Sequence, residues 1–233
     1  MTLAEIRRNL RSLGSSARAE VSQRYFKTGK GEYGEGDRFL GLDAATMHSL
    51  AKQYRETPLP VVGQLLHSPW HEERLVALLI LVRQFAKGDR DAILALYLAN
   101  TDRINNWDLV DCSAPQIVGA HATSELLRKL ARSQSVWERR IAIMATQHLI
   151  RENNFEPTLT IAGMLLDDQH DLIHKAVGWM LREVGKRDVA VEKRFLDAHA
   201  ATMPRTMLRY AIERFPERER RHYLNARSSN VRQ

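Results

Sequence analysis

Trp70-His71-Glu72-Glu73-Arg74-Leu75-Val76-Ala77 recurs faintly as Val136-Trp137-Glu138-Arg139-Arg140-Ile141-Ala142-Ile143 and as Asp171-Leu172-Ile173-His174-Lys175-Ala176-Val177-Gly178. The alignment puts Arg74, Arg140 and Lys175 in register, 66 and 35 residues apart. A unit of roughly 33 to 35 residues therefore predicts one more copy near residue 107. Helix pairs of that length cannot bury their apolar faces alone. Stacked, they form an α-solenoid with a continuous core and a concave groove. In this register the second helices line the groove and carry Arg74, Trp107, Asp111, Arg140, Lys175 and Trp179 along it. An irregular helical bundle with coincidentally placed basic residues is the alternative.

The surrounding sequence agrees with an all-α chain. Good helix formers dominate and strand-like alternation is absent. Helices are predicted over 2–13, 15–27, 43–55, 58–67, 70–87, 89–99, 106–119, 122–132, 136–152, 156–166, 171–186, 188–201, 204–214 and 216–225. Gly88-Asp89, Asn153-Asn154, Asp167-Asp168 and the prolines at 58, 157, 204 and 216 mark the stops. With 233 residues and no linker-like run between helices, the expectation is one domain spanning 1–233.

The chain carries 35 Lys+Arg against 28 Asp+Glu, a net +7, with Arg heavily in excess over Lys. That balance favours an anionic partner such as nucleic acid or an anionic membrane surface. From Pro204 onward eight arginines, Arg205 to Arg232, face three glutamates, which fits either a solvated basic tail or a phosphate-contacting helix. Cys112 is the only cysteine, so no intrachain disulfide forms and an oxidising compartment is not implied. No signal-peptide core or membrane-length apolar run is present, and a cytoplasmic protein is expected.

Three motifs are set aside. Gly29-Lys30-Gly31-Glu32-Tyr33-Gly34 matches G-x-G-x-x-G, but no strand precedes it, and Glu32, Glu35 and Asp37 would repel a pyrophosphate. A structured loop is expected instead, following Tyr25, Phe26 and Lys27. His170 and His174 have the i, i+4 spacing of metal ligands but lack a third, so surface histidines explain them better and no metal is expected. Cys112 has no base within reach, since His121 lies too far along, and reads as a packing cysteine.

Asn105-Asn106-Trp107-Asp108-Leu109-Val110-Asp111 is different. Helical spacing stacks the Trp107 indole and the Asp111 carboxylate on one face and sends Asp108 elsewhere, to a structural role. With Arg140 and Trp179 in register, such a face suits a deoxyribose held between indoles, with a carboxylate opposite positive charge developing at C1′.

At these residues the chain resembles the bacterial DNA alkylation repair glycosylases of the HEAT-like-repeat family, the AlkD type. Asn106 to Asp111, Val136 to Arg140 and Lys175-Ala-Val-Gly178-Trp179-Met-Leu-Arg182-Glu183 carry the resemblance, with Tyr25 to Gly29 and Asp37 to Gly41 adding to it. The resemblance implies excision of cationic N3- and N7-alkylated purines from duplex DNA without a metal or organic cofactor; no Lys is placed for a Schiff base, so a monofunctional glycosylase is expected, and a monomer, because solenoid DNA binders need no partner. It makes Asp111 the catalytic carboxylate and Trp107 and Trp179 the indoles that cradle the sugar. Arg140 becomes a phosphate contact, with Tyr25 near the DNA. Lys175, Arg74 and Arg182, basic positions of the same groove, are expected to bind DNA as well. A cationic alkylpurine is already an activated leaving group, so one carboxylate suffices. At about 4 Å and an effective dielectric of about 20 it contributes about 4 kcal/mol, nearly three decades of rate. A non-catalytic DNA structure-binding paralogue and a helical scaffold for an acidic protein are the competing expectations.

Overall fold

A computed structural model of the chain describes residues 2–121 and 123–226. Arg227 and Arg232 of the basic C-terminal run lie outside the described residues. Among the described residues the structure is helical and has no strand, only an isolated bridge between Arg38 and Trp70. It divides into two compact units, Met1–Ile117 and Val118–Gln233.

The first unit contains α1 (Leu3–Ser12), α2 (Ser16–Tyr25), α3 (Ala44–Gln53), α4 (Leu59–Leu66), α5 (His71–Phe85), α6 (Arg90–Leu98), α7 (Trp107–Asp111) and α8 (Ala114–Ile117). Side chains start most of these helices. Thr2 and Glu5 form a reciprocal capping box, and Ser15, Asp43 and Asp89 accept from the first-turn amides of their helices. α5 is the central element, packed by α4 as its hairpin partner and by α3, α7 and α8 alongside. Every residue from Leu75 to Leu81 is buried, as expected of a helix with neighbours on all sides. Each such aliphatic side chain contributes about 1.5–3 kcal/mol of transfer free energy.

The polar first turn of α5 is buried too, and a buried charge persists only with partners. Glu73 accepts from the Nε atoms of Arg7 and Arg11 on α1, both at 3.0 Å. Glu72 accepts from three successive backbone N–H groups, those of Leu40, Gly41 and Leu42, at 2.8, 2.7 and 3.2 Å. Gly41 makes this wrap possible: its φ is +79°, and a Cβ there would lie 2.1 Å from the Ser15 carbonyl oxygen.

The second unit contains α9 (Ser124–Ala131), α10 (Val136–Arg151), α11 (Glu156–Met164), α12 (Asp171–Gly185), α13 (Val189–His199), α14 (Arg205–Ala211) and α15 (Glu217–Leu224). α9 pairs with α10 and α11 with α12; α10, α12 and α14 pack side by side in one row, with α9 against α11 in the other. This two-row stacking of helix pairs is the α-solenoid pattern the repeat predicts. Gly178 sets the tightest seam, since a Cβ on it would sit 2.4 Å from the Met207 carbonyl oxygen on α14.

The predicted helix over 106–119 is a correction. It breaks after Asp111 and resumes as α8, because Pro115 has no N–H for the Asp111 carbonyl and its ring would clash there. Ser113 fills the break, its hydroxyl donating to the Leu109 carbonyl at 2.5 Å and meeting the Tyr97 hydroxyl at 3.0 Å. The G-x-G-x-x-G segment is a turn-rich loop whose Gly29 and Gly31 amides donate to Glu32 and Glu35, so its own carboxylates occupy the donors a phosphate would need.

Candidate functional site

In the first unit the site begins with a helix of five residues. α7 starts on Asn106, whose Oδ1 accepts from the Trp107 amide at 2.8 Å. Trp107 and Asp111 stand one turn apart, on one face, and both are half-buried. The Trp107 ring stacks on Phe26 at 5.1 Å, and the Tyr25 ring meets it edge-on at 5.7 Å. Tyr25 is 63% exposed and Phe26 half-buried, so one of the two rings that wall Trp107 is open. Lys27, at φ +55°, ends α2 immediately after this aromatic pair in the left-handed conformation. Phe26 continues the pile onto Phe39 at 5.1 Å.

Below the rings lies a charged cluster absent from the sequence reading. His71 Nδ1 is 2.7 Å from Asp37 Oδ2, and His71 Nε2 is 2.7 Å from Asp108 Oδ2. Two carboxylate partners require both ring nitrogens to donate, which only the imidazolium does. Burial alone would pull the His71 pKa down, but the charge and hydrogen bond of Asp108, with those of Asp37, push it up to about 9. Asp37 is buried as well, yet His71 and Arg74 hold its carboxyl below the usual range. Nothing periodic links 37, 71 and 108, so no local signal announces the cluster. Asp108 sits one position past Trp107 and reaches His71, the structural placement its helical angle predicts.

Arg74, expected along the groove, is only 5% exposed. Its guanidinium donates to Asp37 at 2.9 Å, Asn105 at 3.2 Å and the Ser68 carbonyl at 3.1 Å. Cys112 caps the end of α7 with its thiol directed at the Leu109 carbonyl, and burial pushes its pKa well up.

The remaining predicted residues belong to the second unit. Arg140 is likewise 5% exposed and donates to the Leu172 carbonyl at 2.6 Å, tying α10 to the start of α12. Along α12, Lys175 pairs with Asp171 at 2.6 Å and Trp179 Nε1 donates to Glu183 at 3.0 Å. Arg182 pairs with Glu213, which follows α14. Lys175 and Trp179 are thus presented by the same helix, one turn apart. His170 caps α12 through Nδ1, and His174 is bonded to the Asp168 carbonyl. Among the described residues no group of three or more His, Cys, Asp or Glu side chains is placed to hold a metal, and no helix is long and apolar enough to cross a membrane.

Stacked helix pairs of this kind define a helical-repeat protein. The model of the DNA alkylation repair enzyme family matches residues 6–215, and the chain belongs to that family. Among solved structures, one described as a predicted DNA alkylation repair enzyme from Enterococcus faecalis is similar in fold, with a TM-score of 0.71 and 17% identity over 88% of this chain and 97% of that one. No curated protein matches the sequence.

Proposed function

We propose that the protein is a monofunctional DNA glycosylase that hydrolyses the N-glycosidic bond of cationic N3- and N7-alkylated purines in duplex DNA. The observation that carries this reading is α7, a five-residue helix that displays an indole and a carboxylate on one face while a buried cluster holds its other carboxylate away. In the reaction the C1′–N bond breaks and its electron pair leaves with the purine, neutralising the purine's charge. Asp111 opposes the positive charge left on the sugar and orients the water that adds to C1′. Trp107 packs its indole against the deoxyribose, and Tyr25, the exposed ring beside Trp107, lies near the duplex.

Lys175 and Arg182 contact phosphate, exchanging Asp171 and Glu213 for it. Arg140 and Arg74, buried and bonded to the protein, act at the DNA mainly by fixing the turns that carry Trp179 and Trp107. The protein works as a cytoplasmic monomer without a cofactor. The test is incubation with a methylated duplex and chromatography of the released bases, beside gel shifts on intact duplex and junctions across salt. Release of 7-methylguanine or 3-methyladenine supports the reading. Tight, salt-sensitive junction binding without release refutes it in favour of a structure-binding protein.

A further inference from the structure

The Asp37–His71–Asp108 cluster lies outside the chemistry proposed above, yet it grips the helix that performs it. α7 has five residues, too few for a helix to be stable by itself, so its orientation depends on what holds it. Asn106 holds the first amide, and His71 holds the Asp108 side chain. The Asp108 carboxylate retains some exposure, whereas His71 and Asp37 are almost completely enclosed. His71 is also the floor of the aromatic pile, 4.6 Å from the Phe39 ring and 5.0 Å from the Phe26 ring on which Trp107 stacks.

We propose that His71 is a positioning residue: held as an imidazolium between Asp37 and Asp108, it locks the first turn of α7 and thereby aims Trp107 and Asp111. The groups that face it are Asp37 from the segment after the glycine-rich loop, Asp108 from α7, and the rings of Phe26 and Phe39. Arg74, one turn along α5, reaches it through Asp37. Two carboxylates and two cations make the cluster neutral. Loss of the His71 proton turns one ring nitrogen into an acceptor facing a carboxylate oxygen, which repels it. The Asp37 side is the more enclosed and shares Arg74, so Asp108 is the partner released, and α7 with it.

This inference deepens the glycosylase reading and rests on it, so the experiment separates the two. The His71 ring and the Trp107 indole N–H are followed by NMR against pH in the wild type and in Asp108→Asn, with single-turnover release of 7-methylguanine measured alongside. Asparagine keeps an acceptor but removes a charge, so the His71 midpoint falls by about a unit or more. In the wild type the Trp107 indole signal shifts at the His71 midpoint. In the wild type, excision falls about tenfold or more above the His71 midpoint and recovers below it with duplex affinity unchanged; in Asp108→Asn, whose carboxamide N–H2 donates to the deprotonated ring nitrogen, that fall is lost. His71→Gln, which has no proton to lose, likewise shows no such fall. If Asp108→Asn does not fold, Asp37→Asn makes the same test from the other side without altering α7. A wild-type His71 titration that the Trp107 signal and the excision rate do not follow overturns the proposal. A wild type that shows the coupled NMR titration but releases no base overturns the glycosylase reading and leaves the positioning role standing.

Discussion

The first turns of α5 and α12 occupy one register of the repeat and use their charges in opposite ways. In α5, His71, Glu72, Glu73 and Arg74 are all buried, and each is bonded to a segment distant in sequence. In α12, Asp171 and Lys175 pair with each other near the surface. The first turn of α5 therefore acts as a clasp, gathering α1, the segment at 37–42 and α7 around one helix end. That of α12 acts as a display, leaving a cation one turn from Trp179. Equal register fixes where a residue sits on its helix; the segments that fold over it decide whether it anchors or contacts.

The largest expected effect comes from breaking the clasp. Asp37→Ala removes the buried carboxylate that His71 and Arg74 share and is expected to cost about 3–5 kcal/mol in urea unfolding, against about 0–1 kcal/mol for Lys175→Ala on the display side. Comparable losses for the two would contradict the contrast. Next in size is the seam that sets α12 against α14. Gly178→Ala drives a methyl against the Met207 carbonyl and is expected to cost about 1–3 kcal/mol by the same measurement.

A smaller effect appears against pH. Glu192 on α13 is buried, which pushes its pKa up to about 8 although Arg182 and Lys193 oppose the rise. Because the folded value lies above that of a free carboxyl, the group favours folding at low pH, and the benefit is withdrawn as pH rises from the unfolded value of 4.5 through 8. Glu192→Gln is expected to melt above the wild type at pH 8.5, by about 2–4 °C for each kcal/mol relieved. The difference should vanish near pH 4. His71 has the same sign: its contribution is complete below 6.5 and lost as pH passes 9. The smallest expected effect is on binding. Lys175→Ala lowers the salt slope of duplex affinity by about 0.9, one phosphate's worth, and lowers stability little.

The helices were legible because caps, prolines and apolar periodicity are local signals, and the repeat placed α5, α7, α10 and α12 correctly. The Trp107–Asp111 face was legible for the same reason, since four residues of helix fix it. Helix-like periodicity runs on across 106–119 and masks the break after Asp111 that Pro115 imposes. The clasp was not legible: His71 finds Asp37 and Asp108 only after three segments fold together. Arg74 and Arg140 show the same limit, since register placed them on the second helices and tertiary packing turned them inward.

In the proposed mechanism Asp111 stabilises the sugar cation during base loss. Single-turnover release of 7-methylguanine from duplex DNA by Asp111→Asn, beside its duplex affinity, tests it most directly. Excision is expected to fall by about three decades, the loss of about 4 kcal/mol of transition-state stabilisation, with affinity retained. Release at the wild-type rate would contradict the account.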